Sequence, residues 1–100
     1  MRLNPLREVR FRFKLAERYL EEAEKAYSEG DSRATVGASQ LSVENAAKAV
    51  IALYKIPSWS YDPSYELEEL VEVIPVEAKH PTKKLAVIAR KLAPEHGRAT

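Results

Sequence analysis

Residues 31–55 read DSRATVGASQLSVENAAKAVIALYK, and the rest of the chain is organised around this stretch. Wound as an α-helix at about 100° per residue, it carries apolar side chains over most of its circumference. Ala34, Ala38, Leu41, Ala49, Ala52 and Leu53 occupy one broad side, and Val36, Val43, Ala47, Val50 and Tyr54 the other. Only one stripe is polar: Arg33, Gln40, Glu44, Lys48 and Lys55. A helix that is apolar nearly all round is covered by neighbours on several sides, and its many alanines let those neighbours come close. Asp31 suits the N-cap, Gly30 closes the helix before it, and Pro57 stops it.

Upstream, a first helix is expected from Pro5 to Glu29, with Asn4 as its N-cap and Pro5 at the first helical position. Leu6, Val9, Phe13, Ala16, Leu20, Ala23 and Tyr27 recur at alternating spacings of 3 and 4. That is a coiled-coil-like seam, suited to lying antiparallel on the central helix across the Gly30-Asp31 turn. Phe11 points the opposite way and Leu15 sits off the seam, which suggests a second contact surface. Charge is segregated along this helix. Arg7, Arg10, Arg12, Lys14 and Arg18 crowd its first half, and Glu17, Glu21, Glu22, Glu24 and Glu29 its second. The acidic end opposes the helix-dipole preference. The two explanations are a solvated face with cross-helix ion pairs and a basic patch for a phosphate backbone. The first is favoured because nearby acidic residues dilute the field.

Downstream, IPSWSYDPS (residues 56–64) is a loop. Its Trp59 and Tyr61, flanked by Tyr54 and Tyr65, are expected to fold back as a lid over the core rather than to stack on a base. A third helix is expected from Pro63 to Ile74 on the stripe Leu67, Leu70, Val71 and Ile74. Glu66, Glu68, Glu69 and Glu72 spread around it as a solvated face rather than converging as a metal site. Pro75 to Pro81 is expected to be a break carrying a surface His80. A fourth helix then runs from Thr82 to Ala93 on Leu85, Ile88, Ala89 and Leu92; Pro94 ends it, and Glu95 to Thr100 is a polar tail. Period-two alternation and hairpin dipeptides are absent. The expected fold is all-α: an up-and-down four-helix bundle with two long antiparallel helices and two shorter ones, forming one domain over residues 1–100.

Composition narrows the function classes. The net charge of +1 supplies no global field toward nucleic acid or anionic lipid. The absence of cysteine removes disulfides and thiolate metal sites. No run is long enough to span a membrane and the charged N-terminus is unlike a signal peptide, so a cytoplasmic protein without a metal or cofactor is expected. Thirteen Glu stand against two Asp, 31% of residues are charged, and Asn4, Asn45 and Gln40 are the only uncharged amides. That balance fits a heat-adapted source.

Leu41 to Val50 reads LSVENAAKAV. With Ala38 and Gln40 before it and Ile51 after, it resembles the central motif of the HEPN domain, a family of small helical domains. The matching positions are Ser42, Val43, Glu44, Ala46, Lys48, Ala49, Val50 and Ile51. Ala16, Leu20, Glu21 and Ala23, ahead of Gly30-Asp31, are similar to the family's opening. The resemblance covers Leu15 to Leu70. The family often carries a His before its third helix, in a His-Asp-Leu-like segment, and here the segment is Tyr65-Glu66-Leu67. The family also usually continues past a fourth helix, whereas this chain stops at Thr100.

Many members of the family resemble metal-independent ribonucleases marked by an Arg followed four to six residues later by a His. Such chemistry needs a base near a ribose 2′-hydroxyl and a cation against the phosphate. Arg90 and His96 satisfy the spacing, although Lys91 and Leu92 follow the Arg where the family prefers a polar residue. Glu44 and Lys48, one turn apart in the favourable order, are expected either to form a structural ion pair or, with Gln40, to line a groove for a nucleotide or a partner side chain. The expectation is a HEPN-like subunit that self-associates, since its two long helices carry more apolar surface than a lone four-helix chain covers. The resemblance implies a minimal nucleotidyltransferase as partner in a toxin–antitoxin-type pair. The alternatives are a ribonuclease using Arg90 and His96, acting on RNA, and a nucleotide-binding module.

Overall fold

The computed structural model of the chain describes residues 5–97. It contains four α-helices: α1 (Pro5–Ser28), α2 (Ser32–Ala52), α3 (Ser64–Leu70) and α4 (Val76–Leu92), with a single 3-10 turn, Ala93–Glu95, after the last. Among these residues there is no strand. The Asn4 cap expected for α1 lies outside the described residues.

The α1–α2 turn is closed by backbone chemistry. Gly30 takes φ +75°, the left-handed conformation that an L side chain resists. Its N–H donates to the Tyr27 carbonyl at 3.1 Å, and the Asp31 N–H donates to the Ala26 carbonyl at 2.9 Å. This pair of bonds is a Schellman motif. Asp31 then opens α2: its Oδ1 accepts from the Ala34 N–H at 3.0 Å. One residue therefore ends one helix and caps the next, which forces the two long helices to fold back on each other.

α2 is the centre of the molecule. α1 packs on one side of it, and α3, α4 and the 3-10 turn on the other. Ala47 and Ile51 join Leu67, Leu70, Ile74 and Ala86 in the main core cluster, with Val50, Ala78 and Leu85 packed against it. Facing α1, α2 offers small residues, so the backbones approach closely: the Ser42 hydroxyl donates directly to the Ala16 carbonyl at 2.8 Å. A second tie crosses the same interface, where Arg12 Nη1 donates to Asn45 Oδ1 at 3.0 Å.

Four expectations are corrected. First, the face of α1 turned to α2 is not centred on the expected seam. Ala16, Ala23 and Ala26 are buried there, with Arg12, Leu15 and Tyr19 half-buried, while Leu6, Phe13, Leu20 and Tyr27 are exposed. Close contact with small residues on α2 favours alanines over bulky side chains, which rotates the seam outward. Second, α2 ends at Ala52 rather than Lys55, because Pro57 restricts Ile56 and the chain must unwind ahead of it. Third, α3 stops at Leu70 and residues 71–74 continue only as turns before Pro75. Fourth, the expected break from Pro75 to Pro81 is helical: α4 begins at Val76 and carries Pro81 inside it. Pro75, with ψ 148°, forms the entry. Pro81 is the sixth helical residue and lies exposed, so its missing N–H leaves one carbonyl, that of Glu77, without its helical donor at the solvent face.

Candidate functional site

Arg33 and Lys55 of the polar stripe are exposed, but its middle, Gln40, Glu44 and Lys48, does not face open solvent. Gln40 and Lys48 are only 3% and 4% exposed. The Glu44 carboxylate between them is divided: Oε1 accepts from Gln40 Nε2 at 2.8 Å and Oε2 accepts from Lys48 Nζ at 2.9 Å. The i, i+4 spacing places all three on one line along the helix. The fourth member comes from the far end of the chain. His96, just past the 3-10 turn, brings Nδ1 to 3.2 Å from Gln40 Oε1 and 3.6 Å from Glu44 Oε1. The polar tail expected after Pro94 is therefore docked on α2 at His96.

These contacts define a protonation logic. Gln40 must present its amide N–H to Glu44, so its carbonyl oxygen is what faces His96. The Nδ1 of His96 is then the donor, and in the neutral ring Nε2 is left as the acceptor. Tyr61 lies flat on the imidazole, ring centroids 4.8 Å apart and planes within 5°. The loop aromatics thus depart from the expected lid. Tyr61 covers His96, and Trp59 stands 99% exposed.

Arg90 is engaged elsewhere. Its Nη2 donates to Glu68 Oε1 at 2.5 Å, and its guanidinium sits 4.9 Å above the centroid of Tyr65. Both partners belong to α3. His96, by contrast, is held by α2 and Tyr61. No hydrogen bond or ion pair joins Arg90 to His96 among the described residues. Among those residues no three carboxylate or imidazole groups converge on one point as a metal site.

A second feature lies at the other end of α2. The start of α1 and residues 52–59 enclose an open cleft of about 760 Å³. Arg7, Arg12 and Lys55 line it with Phe11, Tyr54 and Trp59. Lys55 Nζ also reaches Glu66 Oε2 at 3.1 Å, and the Ser58 hydroxyl donates to Glu66 Oε1 at 2.6 Å. Burial alone pushes the Glu66 carboxyl up; the Ser58 hydroxyl and the Lys55 ammonium outweigh it and hold the group below the usual glutamate range. This contact fastens the rim of the cleft to α3.

The HEPN domain family model matches residues 9–96. The chain belongs to the HEPN domain family. No curated protein and no solved structure matches it. Within this HEPN domain the motif stretch 41–50 is the part of α2 that carries the buried Glu44–Lys48 pair. Tyr65, at the position where the family often has a His, lies under Arg90. Glu44 and Lys48 stood out in the sequence because of their spacing, and so did His96 by its distance from Arg90. The link between His96 and Gln40 spans 56 positions and left no local signal. Neither did the stacking of Tyr61.

Proposed function

We propose that this HEPN domain is an interaction subunit without chemistry of its own, which self-associates as a dimer and pairs with a minimal nucleotidyltransferase in a toxin–antitoxin-type system. The observation that carries the interaction role is the state of α1. Among the described helices it packs on α2 alone, and five large apolar side chains along it, Leu6, Phe11, Phe13, Leu20 and Tyr27, are exposed. The nucleotidyltransferase partner rests on family membership. Against a ribonuclease site stands the separation of roles: Arg90 is neutralised by Glu68 and laid on Tyr65, while His96 is committed to Gln40. Copurification with the product of the neighbouring reading frame, combined with an RNA-cleavage assay on the isolated chain, tests this. A stable complex and intact RNA are expected. RNA cleavage that disappears in His96→Ala would replace this function with the enzymatic one.

The nucleotide-binding alternative is favoured by one observation, and it shifts position. Gln40, Glu44 and Lys48 satisfy one another in a buried cluster, so the cleft beside Trp59 is the better seat. It offers planar rings for a base and cations for a phosphate. Trp59 is the only tryptophan, so its fluorescence reports binding directly. Quenching on addition of nucleoside phosphates, lost in Lys55→Ala, supports that alternative, and an unchanged spectrum removes it.

A further inference from the structure

The charge order of α1 and its exposed stripe have a common explanation. Leu6, Phe13, Leu20 and Tyr27 recur every seven residues and are 61%, 56%, 52% and 68% exposed. Beside Leu20 and Tyr27 runs a shallow groove of about 600 Å³, floored by Ala23 and by Thr35 and Ser39 of α2. Arg10, Glu17 and Glu24 follow the stripe, each four residues after one of its members. Arg10 and Glu24, together with Lys14 and Glu21 behind them, form no ion pair among the described residues.

We infer that α1 is the dimerisation helix and that its occupant is α1 of a second copy, running antiparallel about a two-fold axis between Phe13 and Leu20. This rests on the self-association proposed above and assigns its surface. A two-fold contact must be complementary to itself, and few single helices are. This one is, because its basic half and acidic half exchange places under the axis. Phe13 meets Leu20 of the second copy, and Leu6 meets Tyr27 at each end, where it enters the groove over Ala23, Thr35 and Ser39. Arg10 of each copy faces Glu24 of the other, and Lys14 faces Glu21. The seven-residue stripe drifts by about 20° per heptad on a straight helix, which sets a shallow left-handed crossing. A helix that does not suit its own dipole is explained when its acidic end meets a basic one. Glu17 lies at the axis and meets Glu17 of its copy, the one like-charged contact in this register.

That register makes signed predictions for the chain of residues 1–100. In sedimentation equilibrium the parent chain is a dimer. Arg10→Glu and Glu24→Arg each weaken the dimer about tenfold. The double variant restores it, and Glu17→Gln tightens it. All three positions are exposed, and a thermal melt checks that each variant folds. The chain has no cysteine, so crosslinking is clean. Glu17→Cys is joined to its own copy by a short bismaleimide. Arg10→Cys and Glu24→Cys are joined only when mixed. A dimer indifferent to these charges and not joined through Glu17→Cys overturns this assignment while leaving self-association intact. A monomer at every concentration overturns both and hands the stripe to a different chain.

Discussion

At the scale of single residues, the most exacting position is Lys48. Its ammonium is buried and its partner, Glu44, already divides its carboxylate between two donors. Removing one member of a buried ion pair leaves the other charge uncompensated, which costs about 3 kcal/mol or more. Lys48→Ala is therefore expected to lower the melting temperature by about 12 °C or more for a chain of this size. A nearly unchanged melt with lost ligand binding would mean that the stripe serves a ligand. Glu66 gives a pH signature. Its carboxyl is held below the ordinary value, so its contribution is fully present above the unfolded value of about 4.3 and is lost as pH falls through the lower folded value. Glu66→Gln should cost about 1 kcal/mol at neutral pH. Melts followed across pH should show the parent and the variant converging in acid. A constant offset down to low pH would remove the charge from the explanation.

At the scale of elements, the sequence was readable where one residue type satisfies one backbone need. Gly30 and Asp31 close and open adjacent helices because only a left-handed residue and a short acceptor serve there, and both were legible. The orientation of α1 was not. Its heptad pattern marks a stripe, but two neighbouring stripes share residues such as Ala16 and Ala23. Which one faces α2 is decided by the small side chains on the partner, a tertiary fact. The helical course of residues 76–81 was hidden for the opposite reason: two prolines signal a break locally, and burial of Thr82 and Ala86 beyond them overrides it. The candidate site was half legible. Gln40, Glu44 and Lys48 follow from i, i+4 spacing, whereas the docking of His96 and Tyr61 depends on contacts between distant parts of the chain. Because Pro81 lacks a donor inside α4 and is exposed, Pro81→Ala should stabilise the fold by about 1 kcal/mol. A melt that falls instead would show that the proline shapes the α3–α4 turn.

At the scale of the whole molecule, α2 is sandwiched and α1 is not. One side of α2 builds the core with α3 and α4, and the other holds a helix that touches no further helix among the described residues. No helix among them is long and apolar enough to cross a membrane, so a lipid-spanning role does not account for the stripe on α1. The glutamate-rich, amide-poor composition fits heat adaptation, and a melting temperature above about 65 °C is expected; a midpoint in the mesophile range would contradict that. The proposed self-association would add to the same quantity, because a dimer stabilises its folded protomers with the logarithm of concentration. Sedimentation equilibrium of the unmodified chain over a wide concentration range tests the central claim most directly. Twice the mass of the single chain, dissociating only on dilution, is the result expected. The mass of one chain at every concentration would contradict it.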